Sequence, residues 1–180
     1  LLLVDVQKAF LDNDYPGFKR NNADAELICG KILLKWREKK LPIIHVRHSS
    51  TNLDSKLHES NPGFEFNDHV TPLDDEIVLT KNVNSAFIGT GLKSILDKSK
   101  TEIIIIVGMT TNHCISTTTR MSGNLGYNTY LISDSTACYN TKAINGEIID
   151  CEVIYKTSLA SINKEFATVI DSNELFNLID

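Results

Sequence analysis

Three residues of the 180-residue chain are typed and placed for covalent chemistry: Asp5 after the apolar opening, Lys81 at the end of the run EIVLTK, and Cys114 shortly beyond the run EIIIIVG. A thiol is mostly protonated at neutral pH, so a nucleophilic cysteine needs a base, and Asp5 is the candidate. Lys81 would hold Asp5 ionised and favour the thiolate. Once the thiol has attacked a carbonyl, protonated Asp5 could pass its proton to a departing amine. Taken singly, such an aspartate is a cap, such a lysine is solvated, and such a cysteine is a small buried hydrophobe. Together on one sheet edge they form a constellation, because ligands of open parallel sheets bind outside the carboxyl ends of the strands. Thr110, Thr111 and Asn112 are good helix caps. They place Cys114 in a first helical turn, where the dipole is expected to favour a thiolate and free N–H groups could stabilise an oxyanion.

The elements that must position these groups follow from the apolar runs. Strands are expected over residues 1–6, 41–47, 76–81, 102–108, 128–133 and 166–170. The runs are continuous rather than alternating, which points to strands covered on both faces. Helices are expected over residues 23–39, 91–98, 112–125 and 174–179, so strands and helices alternate as in a doubly wound α/β domain spanning residues 1–180. Residues 48–75 fit neither template, carry the turn Asn61-Pro62-Gly63 and read as a long loop that shapes specificity.

Composition removes several classes of function. The net charge of −5 and the absence of a lysine or arginine cluster argue against nucleic acid. No apolar stretch approaches the roughly 20 residues of a membrane span. Leu1–Val4 has no basic leader and no cleavage site, so it does not read as a signal peptide, and without an initiating methionine the chain reads as opening partway through its first strand. Cys29, Cys114, Cys138 and Cys151 show no framework spacing, so reduced thiols and a cytoplasmic location are expected.

Several blocks resemble the isochorismatase-like cysteine hydrolases, a family that includes nicotinamidases, N-carbamoylsarcosine amidases, ureidoacrylate and biuret hydrolases, and isochorismatases. They are LLLVDVQKAF, KNVNSAFIGTGL and VGMTTNHCISTTTRMSGNLGY, with YLISDSTA and SLASINKEFATVI behind them. The resemblance implies a triad of Asp5, Lys81 and Cys114, a cis peptide just before Thr110, and an oxyanion hole made by the Thr110 and Cys114 amides. It also implies a three-layer αβα fold on a six-stranded, largely parallel sheet, a homo-oligomer, a small-molecule substrate and no organic cofactor.

Within that family, nicotinamidase-type members carry an Asp-x-His with further histidines around a metal. Here the stretch reads His45-Val46-Arg47-His48, without the aspartate, so no metal is expected, with His48, His58 and His69 left as open questions. Cys114 favours C–N cleavage through a thioester over the vinyl-ether hydrolysis of isochorismatases, which needs no acyl-enzyme. The ether hydrolase and a non-catalytic binding or redox-sensing protein stay open as alternatives. As substrate contacts, Arg47 could clamp a carboxylate, Phe10 and Phe87 could wall an apolar pocket, and Gln7 could orient Asp5.

Overall fold

The computed structural model describes residues 1–11 and 19–179. Six strands build one sheet: Leu2–Val4 (β1), Ile44–His48 (β2), Ile77–Lys81 (β3), Ile103–Gly108 (β4), Asn128–Ile132 (β5), and a last strand, Thr168–Ile170. All pairings are parallel, and the order is β3-β2-β1-β4-β5 with the last strand outside β5. The chain winds outward from β1 to β3, then crosses back to β4 and winds the other way. β1 and β4 therefore flank the topological switch point, where open α/β sheets bind ligands.

Helices cover both faces. Ala25–Glu38 (α1) lies on one face, and Leu92–Lys98 (α2) and Ser116–Asn124 (α3) on the other. A two-stranded hairpin, Thr141–Lys142 (β6) with Ile148–Ile149 (β7), follows. Cys151–Ile162 (α4) then leads to Thr168–Ile170 (β8) and Ser172–Ile179 (α5). Side chains alternate across the strands, so Leu3, Ile105 and Val107 pack with Ile32, Leu33 and Leu175 of α1 and α5. Leu2, Val4 and Ile106 pack with Leu92, Ile115 and Ile162 on the opposite side. Burial on both faces is why the strand runs are continuously apolar.

Most boundaries lie within two residues of the expected ones, but two elements were not anticipated. The first is α4, whose β-branched residues obscure its helical pattern, although the Asp150 side chain caps it by accepting from the Glu152 N–H at 2.8 Å. The second is the β6–β7 hairpin, which turns through Asn145-Gly146 with Gly146 at φ +88°. The expected helix over residues 112–125 divides: Thr111–Ile115 forms a π-helical turn before α3 begins. Among the described residues no helix is long and apolar enough to cross a membrane, and all four cysteines are free thiols.

Candidate active site

The switch point is drawn tight by backbone contacts. Asp5 leaves β1 at φ +55°, a left-handed conformation that aspartate tolerates better than most residues. Its N–H still donates to the Val46 carbonyl at 2.8 Å. Opposite it, Gly108 closes β4 at φ +130°, where a Cβ would lie 1.9 Å from the Val4 carbonyl oxygen. Only glycine permits that approach of β1 and β4. The Met109–Thr110 peptide is cis. The Thr111 N–H donates to the Ala137 carbonyl at 2.9 Å and the Ile115 N–H to the Thr110 carbonyl at 3.2 Å, shaping the π-helical turn that presents Cys114. Such turns are frequent at functional sites.

Asp5, Lys81 and Cys114 converge there. Lys81 Nζ lies 2.6 Å from Asp5 Oδ2, 3.4 Å from Cys114 Sγ and 3.2 Å from His48 Nδ1. Asp5 and Lys81 are each 1% exposed. The second carboxylate oxygen, Asp5 Oδ1, is buried without a hydrogen-bond partner among the described residues. An Asp5 oxygen, a His48 ring nitrogen and Cys114 Sγ lie within 4.8 Å of one another. The Asp5 carboxylate is thus a buried acceptor beside the Cys114 thiol.

The electrostatics depart from the expected thiolate. Burial and the Asp5 carboxylate push the Cys114 thiol up, and Lys81 opposes them without prevailing. Loss of water thus favours the thiol form of Cys114 over the thiolate. Burial also raises the Asp5 carboxyl, against the attraction of Lys81. His48 is pushed down by burial and by Lys81, which disfavours the charged form of its ring.

The same three donors are the one trio of metal-ligating side chains among the described residues close enough to share an ion. Lys81 Nζ already bonds to all three, so an ammonium stands where a dication would sit, and the set fits the lysine rather than a metal. The other histidines do not join it. His45 is buried against Glu76 Oε2 at 2.8 Å, His58 bonds to Ser60 Oγ at 2.8 Å, His69 is exposed, and His113, at the cavity lining, lies 3.2 Å from Asn112 Nδ2.

A cavity of about 330 Å³ opens over Asp5 and Cys114, at the small end of the range for ligand pockets. Phe10, Leu57 and Tyr139 form its apolar wall; Ser50, Ser55, Asn84, Asn112 and Thr141 supply polar groups. Of the expected substrate contacts only Phe10 lies in this lining. Gln7 instead clamps the peptide groups of His48, accepting from its N–H at 2.8 Å and donating to its carbonyl at 3.0 Å. A third bond, donated to the Phe64 carbonyl at 2.9 Å, ties in the long loop. Arg47 spreads over the rings of Phe64 and Phe66, 4.3 and 5.6 Å from their centroids. Phe87 stacks on Tyr127 and packs against the core. His48 was within reach of the strand-end reasoning, since it closes β2 as Lys81 closes β3. The loop residues Ser50, Ser55 and Leu57 carried no comparable signal.

An isochorismatase-domain family profile matches residues 1–174. The chain is 46% identical over 177 residues to YrdC, an isochorismatase family protein of Bacillus subtilis, covering 98% of this chain and 94% of that protein. A Chromobacterium violaceum structure assigned to the isochorismatase family of hydrolases superposes with a TM-score of 0.93 at 33% identity, over 98% of this chain and 90% of that one. Nicotinamidase 3 of Arabidopsis thaliana is 31% identical over 101 residues, 56% of this chain and 45% of that protein.

Proposed function

The chain belongs to the isochorismatase family of hydrolases, and we propose that it cleaves a C–N bond of a small amide- or ureide-like substrate through a thioester on Cys114. The observation that carries this reading is the buried Asp5 carboxylate, one oxygen of which has no hydrogen-bond partner among the described residues, beside the Cys114 thiol and under the cavity. A neutral thiol requires a base at the moment of attack, and Oδ1 is the available acceptor.

In the proposed sequence the Sγ proton passes to Asp5 as the Sγ–C bond forms and the carbonyl π pair moves to oxygen. The Thr110 and Cys114 amides would hold that oxyanion. Asp5 then returns the proton to the nitrogen, the C–N bond breaks and a thioester remains. Water attacks with Asp5 again as base, and collapse of the second tetrahedral intermediate releases the acid and restores the thiol. Lys81, on Oδ2, keeps one carboxylate oxygen occupied and leaves the other to take the proton. The nicotinamidase relative supports amide chemistry, though over only part of the chain.

The test is ammonia release from a panel of small amides and ureas by the wild type, Cys114→Ala and Asp5→Asn. Turnover by the wild type and by neither variant is expected. A vinyl ether cleaved by Cys114→Ala but not by Asp5→Asn would move the assignment to an ether hydrolase, and a panel left untouched by the wild type would favour a non-catalytic role.

A further inference from the structure

We infer that the substrate is uncharged at the end remote from the scissile bond, a neutral carboxamide or urea, and that the site rejects carboxylate-bearing analogues. This rests on the amide-hydrolase reading above and narrows its substrate class. Among the described residues, no lysine or arginine lines the cavity, and residues 12–18, DNDYPGF, contain neither type.

Three cations of the elements that build the site are engaged with other groups, while Lys56 and Lys142, beside the lining residues Ser55, Leu57 and Thr141, are absent from the lining itself. Lys81 is bound to Asp5 at 2.6 Å, so the buried pair carries no net charge to offer an anion. Arg20 forks onto Glu26 at 2.7 and 2.8 Å and donates to the carbonyls of Phe10 and Asn22. Arg47 lies over two aromatic rings and donates to Thr80 Oγ1 at 3.2 Å.

What the cavity does offer suits an amide. Hydroxyls of Ser50, Ser55 and Thr141 and the side-chain amides of Asn84 and Asn112 can both donate and accept, as a carboxamide or urea does. A carboxylate only accepts, and it would enter beside the carboxylate of Asp5. Burying an uncompensated charge costs much more than burying an amide whose hydrogen bonds are met.

Iodoacetamide and iodoacetate test this without a known substrate, because they differ only in amide against carboxylate. With either reagent the Sγ–C bond forms, iodide leaves and the thiol proton passes to Asp5. Their rates at Cys114 are measured on the intact protein by peptide mass, and the ratio is referred to the same peptide in the denatured chain. The folded site is expected to favour iodoacetamide by at least about thirtyfold over that reference, which corresponds to about 2 kcal/mol of discrimination. A ratio within about threefold of the reference, or reversed, overturns the inference and leaves the hydrolase reading standing. A Cys114 that reacts with neither reagent in the folded protein overturns the nucleophile assignment itself, and the inference with it.

Discussion

Replacing Lys81 by methionine should destabilise the protein in a pH-dependent way that only a buried, charge-paired Asp5 produces. Both side chains are at most 1% exposed, and the pair is held at 2.6 Å. Removing one partner of such a pair costs about 3–5 kcal/mol, because the other charge is left uncompensated. For a chain of this length that is a fall of roughly 6–20 °C in Tm. Asp5 can escape part of the cost by taking up a proton, since burial already raises its carboxyl and Lys81 is the chief opposing influence. In the variant that opposition is gone. Between the unfolded and folded pKa values the folded variant holds a proton that the unfolded chain lacks. The variant's stability therefore falls as pH rises through the folded value, by up to about 1.4 kcal/mol per unit. Urea unfolding at pH 5 and pH 8 should show the full deficit at pH 8 and a smaller one at pH 5. Asp5→Asn combined with Lys81→Met should recover most of the loss, because no charge remains buried. A deficit below about 1 kcal/mol at pH 8, or one equal at both pH values, would refute the buried pair as its cause.

Gly108→Ala should unfold the protein or cost more than about 3 kcal/mol, since the new Cβ would lie 1.9 Å from the Val4 carbonyl oxygen at φ +130°; a Tm within a few degrees of wild type contradicts this. Glu76 sits against burial, but bonds from Arg37, the Leu73 N–H and His45 bring its carboxyl down to about 2. Its contribution, of the order of 3 kcal/mol, is present above the unfolded value of 4.5 and lost as pH falls toward 2. The stability gap between wild type and Glu76→Gln in urea melts should therefore close between pH 4.5 and 2. In a profile of kcat/KM against pH, the acid limb should lie above 3.8, where the raised Asp5 carboxyl gains its proton. The alkaline limb should lie above 9.0, where the raised thiol ionises and Asp5 no longer receives a proton for the leaving group. A plateau confined to pH values above 9 would instead mean that the thiolate reacts without Asp5.

The convergence of Asp5, Lys81 and Cys114 was legible because a parallel sheet converts sequence position into spatial position. Asp5, Lys81 and the turn to Cys114 each end a strand, and strands of one parallel sheet end on one edge. The same logic reached His48 once β2 was found to run through it rather than stop at Arg47. The thiol's charge state was not legible, because it depends on how much water the surrounding fold excludes, and that burial outweighs the capped helix start inferred from Thr110–Asn112. Arg47 shows a different limit: its alternation along β2 was readable, but the rings that capture it, Phe64 and Phe66, arrive from the long loop. Gln7 was expected beside Asp5 and instead joins that loop to the end of β2. Helix α4 was hidden by residues with strand preferences whose helicity is fixed by the Asp150 cap and by packing on the sheet.

An acyl group carried on Cys114 is the central step of the proposed reaction. During steady-state turnover of a small amide, acid quenching followed by peptide mass analysis should find the acyl increment on the Cys114 peptide. Hydroxylamine added before the quench should remove that increment and release the matching hydroxamate. Ammonia released at full rate with no acylated peptide, and undiminished in Cys114→Ala, would contradict the thioester mechanism.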